Sequence, residues 1–186
     1  MRIISGFLKG KKINYLKNST TRPLKDSVKE NIFNILVHSK LIKIKFESSN
    51  ILDLYSGVGS FGLECISRGA KKVTFIEKNT LASNVLKENL QKLSIKNKSQ
   101  ILNGEVIKTL NNNFDEKYDI FFLDPPFADK NFIDDLNLIK KLKLFDEEHI
   151  VIIHREKRSQ DNLDELINVI YLKEYGRSKI IFGLFK

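Results

Sequence analysis

Three groups of residues in this chain have the types and spacing to do chemistry. Gly57-Val58-Gly59-Ser60-Phe61-Gly62 matches Gly-x-Gly-x-x-Gly. It follows an apolar run, Ile51 to Tyr55, and opens a helical stretch, the context in which the pattern has physical meaning. Glycines there let the backbone turn tightly and approach a ligand closely. Glu77 stands twenty residues beyond Gly57, at the end of a second apolar run. Its carboxylate can accept hydrogen bonds from both hydroxyls of a ribose. The third group is Asp124-Pro125-Pro126-Phe127, which halts the most apolar run of the chain. Glycine-rich turns also occur without ligands, but the turn and Glu77 together point to a nucleoside-bearing one.

The glycine turn alone leaves a dinucleotide and S-adenosylmethionine equally open. Asp53 lies inside the first strand, four residues before Gly57, where a carboxylate can meet a cationic amino-acid end. A pyrophosphate would gain nothing from that acid. A parallel sheet places the carboxyl ends of its strands along one edge, so the Asp124 loop and the glycine turn face the same crevice. Both features favour S-adenosylmethionine.

The elements that must position these groups alternate. Ile51 to Tyr55, Val73 to Glu77, Gln100 to Leu102, Tyr118 to Asp124 and Ile150 to Ile153 read as buried strands. Between them, Phe61 to Arg68, Leu81 to Leu93, Glu105 to Leu110 and Phe132 to Leu142 read as helices, with Gly69 as the C-cap of the first. Strand–helix alternation of this kind predicts an α/β, doubly wound, mostly parallel sheet with helices on both faces. Asn168 to Tyr175 and Lys179 to Phe185, split by Gly176-Arg177-Ser178, predict a C-terminal antiparallel hairpin. Ahead of the sheet, Arg2 to Ile4 and Lys11 to Tyr15 suggest a small hairpin, and Asp26 an N-cap for a helix running to about Val37. We therefore divide the chain into a small N-terminal extension, 1–45, and a main domain, 46–186.

Composition narrows the classes. With 186 residues, 41% hydrophobic and 30% charged, the chain is neither a disordered tail nor a membrane protein. No apolar run approaches the roughly 20 residues that span a bilayer, and the basic N-terminus has no apolar segment of a signal peptide behind it. A lone cysteine, Cys65, excludes an intramolecular disulfide and a multi-cysteine zinc site. Of 32 basic and 23 acidic residues, the first fifty positions hold 11 and 3, leaving 21 and 20 for the rest. A nearly neutral body with a basic arm suits an acidic partner approaching from one side, and nucleic acid is the expectation.

The motifs reach further than their spacing. Arg2-Ile3-Ile4-Ser5-Gly6 with Lys9-Gly10, then Thr21-Arg22-Pro23 with Asp26, Val28 and Phe33-Asn34-Ile35-Leu36, resembles the N-terminal part of the bacterial small-subunit (16S) ribosomal RNA guanine-N2 methyltransferases, which are class I S-adenosylmethionine-dependent enzymes. Asp53-Leu54-Tyr55-Ser56-Gly57, Gly62-Leu63-Glu64 and Ser67-Arg68-Gly69-Ala70 continue the likeness up to Asp124-Pro125-Pro126-Phe127. The proline loop by itself is shared with methyltransferases acting on RNA, DNA and protein. The resemblance implies methyl transfer to guanine N2, with Asp124, Pro125, Pro126 and Phe127 as the catalytic loop. It further implies that Asp53, Ser56, Gly57 and Gly59 line the methionine side of the cofactor, with Asp124 close by, while Glu77 takes the ribose and Glu105 the adenine. Glu105 stands where relatives carry Asp or Asn, and Ser56 where they often carry alanine. Arg2, Lys9, Lys11, Arg22 and Phe127 are the expected RNA contacts, and the resemblance implies an assembled or assembling 30S particle rather than naked RNA as the substrate.

Plainer roles are expected elsewhere. Cys65 reads as a buried apolar residue, and Lys71-Lys72 and Lys140-Lys141 as solvated faces. Phe114, Phe121, Phe122 and Phe132 read as core. His38, His149 and His154 lack metal-ligand spacing, and no metal is expected. A cytoplasmic monomer without membrane contact is the simplest expectation. The rival readings are a DNA adenine-N6 or protein-glutamine methyltransferase, a nicotinamide oxidoreductase, and a non-catalytic RNA-binding protein.

Overall fold

The computed structural model describes residues 1–16, 24–112 and 116–186. The expected Thr21-Arg22-Pro23 contact and Phe114 lie outside them. The described elements run α1 (Asp26–His38), β1 (Asn50–Leu54), α2 (Ser60–Ser67), β2 (Lys72–Glu77), α3 (Thr80–Lys92), β3 (Ser99–Asn103) and α4 (Val106–Leu110). They continue with β4 (Tyr118–Leu123), α5 (Phe132–Leu142), β5 (Phe145–Glu156), β6 (Ile167–Tyr175) and β7 (Ser178–Phe185).

The strands form one sheet in the order β3-β2-β1-β4-β5-β7-β6. β1 to β5 pair in parallel, and β7 joins β5 and β6 antiparallel. Successive side chains of the central strands feed two apolar layers, as the two-residue period of a strand requires. Ile51, Phe122 and Ile152 pack with α1, α2 and α3, whereas Leu52, Phe121 and Val151 pack with α4 and α5. Strand order reverses between β1 and β4, and the carboxyl ends of those two strands open the crevice where such sheets bind ligands.

Two expectations change in detail. β5 begins at Phe145 rather than Ile150, because Asp146, Glu147 and Glu148 are exposed yet remain in the strand. Helix α1 is capped by Lys25, and Asp26 is its first helical residue, where its charge favours the helix N-terminus without a side-chain cap bond. Gly69 does close α2: its N–H donates to Ile66 O and that of Ala70 to Cys65 O, with Gly69 at φ 107°. Cys65 is buried, and burial pushes its thiol well up, so it is inert packing.

The extension shares its core with the main domain: Ile3, Leu8, Ile13, Ile32 and Phe33 belong to the layer that includes Ile51 and Phe75. The expected hairpin is a single bridge, Arg2 to Lys12. What fastens this segment is a buried ionic cluster. Glu64 on α2 and Lys29 on α1 are both 0% exposed. Glu64 accepts the backbone N–H of Ile4 at 2.7 Å and of Ser5 at 2.9 Å, and Arg68 Nε at 2.9 Å. Lys29 Nζ lies 3.9 Å from Glu64 and donates to Arg2 O and Ser60 Oγ. Gly6 lets the chain lie against α2: a Cβ there would fall 1.8 Å from Ser67 O, and φ is +79°.

Candidate active site

A cavity of about 1400 Å³ opens at the carboxyl ends of β1 and β4. Ligand pockets usually measure about 300–1,000 Å³, so this one has room for a nucleoside-sized ligand and a second group beside it. The glycine turn, Glu77 and the Asp124 loop all line it.

β1 delivers the first wall. Its last residues pass through Tyr55 at φ 60° and Gly57 at φ 55° into Gly59 at φ 85°, the residue before α2. Gly57 N–H donates to Glu77 Oε2 and Asn79 N–H to Glu77 Oε1, each at 2.7 Å. One backbone donor on each oxygen fixes the carboxylate plane and leaves a further lone pair on each. Gly62 allows α2 to sit close on β2, since a Cβ there would come 2.3 Å from the Phe75 ring. Asp53 is buried and accepts the Gly62 N–H at 2.9 Å. Burial pushes its carboxyl well above the ordinary range. Ser56 Oγ is buried without a hydrogen-bond partner among the described residues, a costly arrangement that a polar ligand group would relieve.

β4 delivers the second wall. Asp124 Oδ1 lies 2.8 Å from His154 Nδ1. Arg155, 1% exposed, donates to Pro126 O at 3.1 Å and Phe127 O at 3.2 Å. Asp161 takes two hydrogen bonds from the same guanidinium, which also lies 4.4 Å over the Phe132 ring. The Phe127 ring meets that of His154 edge-on. Nearby, Tyr55 donates to Asp135, whose carboxyl is pushed up to about 6, chiefly by burial.

Not every expected residue converges. Glu105 lines the cavity, but its carboxylate is paired at 2.7 Å with Lys108, which holds it below its ordinary value. Arg2, Lys9 and Lys11 are exposed and do not line the cavity. Arg2 instead borders a second surface groove with Lys12 and Lys92. The extension reaches the cavity through Tyr15, Leu16, Lys25 and Val28. The sequence set His154 aside as a histidine without metal-ligand spacing and gave Arg155 no role. Their signal was position alone, one and two residues past an apolar run that pairs with the run ending at Asp124. Phe121, Phe122 and Phe132 are core, and His149 is buried, accepting the Phe185 N–H. Among the described residues no cluster of three or more His, Cys, Asp or Glu could hold a metal, and no helix is long and apolar enough to cross a membrane.

A switch-point cavity edged by a glycine turn, an acidic second-strand end and an Asp-Pro-Pro-Phe loop, on this strand order, defines a class I methyltransferase fold. The chain belongs to the family described as Conserved hypothetical protein 95, which matches residues 1–183. It is 38% identical over 129 residues to the Ribosomal RNA small subunit methyltransferase D of Haemophilus influenzae, covering 68% of this chain and 64% of that one. To the protein of the same name in Buchnera aphidicola subsp. Acyrthosiphon pisum it is 33% identical over 156 residues, covering 84% and 78%. Among solved structures, the Haemophilus influenzae protein HI0767, described as a methylase, superposes with a TM-score of 0.78 at 29% identity, covering 98% and 96%. The Escherichia coli protein yhhF, described as a methyltransferase, superposes with a TM-score of 0.85 at 24% identity, covering 100% and 98%.

Proposed function

We propose that the chain transfers a methyl group from S-adenosylmethionine to the exocyclic N2 of a guanine in small-subunit ribosomal RNA. The observation that carries this reading is the meeting of Asp53, Glu77 and the Asp124 loop in one cavity large enough for cofactor and base together. The relatives named small subunit methyltransferase D supply the substrate class. When bound, the cofactor supplies an electrophilic methyl on sulfur: a nitrogen–carbon bond forms, the carbon–sulfur bond breaks with its pair on sulfur, and the amine sheds one proton.

The residues of the chain fit that ligand. Glu77, held by two backbone donors, presents its remaining lone pairs to the ribose hydroxyls, and Ser56 Oγ, without a partner among the described residues, offers its hydroxyl on the same wall. Asp53 stands ready for a cationic amino group. Guanine N2 is a weak nucleophile because its lone pair is delocalised into the ring. Acceptors for its two protons, Asp124 and the Pro125 carbonyl, localise that pair and aim it, and Asp124 takes the released proton. Phe127 can stack on the extruded base, a contact worth about 1–3 kcal/mol. Extruding the base costs a few kcal/mol unless it is already looped out. The exposed Arg2, Lys9 and Lys11 would meet the RNA backbone away from the cavity, and Arg22 is a further proposed RNA contact.

Two results check the cofactor assignment. Glu77→Ala should weaken S-adenosylmethionine binding about tenfold or more in calorimetric titration, since two charge-assisted hydrogen bonds are lost. Burial raises the Asp53 carboxyl, and a cationic ligand end beside it would lower it again, so binding should release protons. The complex then binds fewer protons than the free protein, so affinity should rise with pH through that raised range, and Asp53→Asn should flatten the dependence. The substrate assignment is tested with tritiated S-adenosylmethionine and three acceptors: small subunits lacking guanine-N2 methylation, naked small-subunit RNA and duplex DNA. Label in ribosomal RNA supports it, and label confined to DNA overturns it.

A further inference from the structure

β4 and β5 run parallel with Leu123 beside Ile153, so Asp124, one residue past the end of β4, comes beside His154, which is still within β5. His154 Nδ1 meets Asp124 Oδ1 at 2.8 Å. An ionised carboxylate only accepts, so Nδ1 carries the proton of this contact. His154 is 9% exposed and lines the cavity. Its Nε2 is buried with no hydrogen-bond partner among the described residues.

We infer that His154 is a positioning residue for methyl transfer: its Nδ1–H holds one oxygen of Asp124 so that the other faces the substrate amine. This rests on the reading of Asp124 as acceptor of the amine protons. A free carboxylate rotates broadly about its last torsion, and a single fixed donor removes that freedom. Arg155 immobilises the carbonyls of Pro126 and Phe127 and leaves the Asp124 side chain untouched. Neighbouring residues of β5 thus divide the work, one gripping the loop backbone and the other its reacting side chain. Stability does not account for the imidazole. A buried ring nitrogen without a partner among the described residues disfavours the fold.

The test compares wild type with His154→Leu, which removes the donor, and His154→Asn, which places an amide donor near the position of Nδ1. With ribosomal RNA as acceptor, His154→Leu should lower kcat about 10–100-fold. KM for RNA, affinity for S-adenosylmethionine and the thermal midpoint should hold, and His154→Asn should recover most of the loss. Nitrogen-15 spectra of labelled histidine in the cofactor-free protein need no turnover. They should show His154 protonated at Nδ1, and Asp124→Ala should abolish that preference. Wild-type kcat in His154→Leu, equal losses in the Leu and Asn variants, or a proton residing on Nε2 alone would each overturn the inference. Methylation of an atom other than guanine N2 would refute the substrate assignment, while the Leu–Asn contrast still decides the role of His154.

Discussion

Replacing Asp124 with alanine is expected to lower kcat for methyl transfer by about 10²–10⁴-fold, the range typical of losing a proton acceptor at the reacting atom. The same change should leave S-adenosylmethionine affinity within about twofold, since in the proposed function Asp53 and Glu77, on β1 and β2, are the residues that would provide the charged contacts to the cofactor. Asp124 belongs to the other wall of the cavity, where its carboxylate meets His154. Alanine also leaves the clamp from Arg155 to the carbonyls of Pro126 and Phe127 in place, so the loop backbone should persist. The measurement is single-turnover methyl transfer at saturating cofactor, alongside a binding titration. A variant with wild-type turnover would remove Asp124 from the mechanism. A variant that fails to bind cofactor would make Asp124 a cofactor residue first.

The second large effect concerns the fold. Glu64→Ala should destabilise the protein by about 3–5 kcal/mol, the usual cost of removing one partner from a buried ion pair. That is a large share of the roughly 5–15 kcal/mol that holds a domain together. Lys29 would be left buried with only the partly exposed Asp26, 3.7 Å away, as an acidic partner, and burial already pushes its ammonium below the ordinary value. The N–H groups of Ile4 and Ser5 would lose their acceptor at the same time. Denaturant unfolding should show a lowered midpoint at an unchanged slope. The double variant Glu64→Leu with Lys29→Met should recover only part of the loss, because the two backbone donors and Arg68 remain unanswered. Full recovery would mean that the ion pair alone matters.

These two sites show where a linear reading succeeds and where it stops. Ile51 to Tyr55, Val73 to Glu77 and Tyr118 to Asp124 are largely buried on both faces, so their nearly continuous apolar runs announced the central parallel strands. The glycine turn and Glu77 were legible for a similar reason: their chemistry depends on neighbours in the chain and on one strand pairing. The carboxylate of Glu77 in fact closes that turn through Gly57. What escaped depends on distant pairing. Ile3, Leu8 and Ile13 follow no helical or strand period, yet they complete the core because Glu64 pins the backbone between them. Lys29 reads as one more member of a basic arm, and only its packing against α2 turns it into a buried charge. His154 lies thirty residues from Asp124, and nothing short of the β4–β5 register brings the pair together. Glu105 shows the opposite hazard, since a lysine one helical turn away claims the carboxylate expected at the adenine.

The most direct test of the account is the identity of the nucleoside it makes. Small ribosomal subunits from a strain lacking guanine-N2 activity would be incubated with the protein and S-adenosylmethionine, and the RNA digested and resolved by mass spectrometry. The account predicts N2-methylguanosine, absent when Asp124→Ala replaces the wild type. A methyl group on adenine or on a ribosomal protein, or no transfer despite tight cofactor binding, would contradict it.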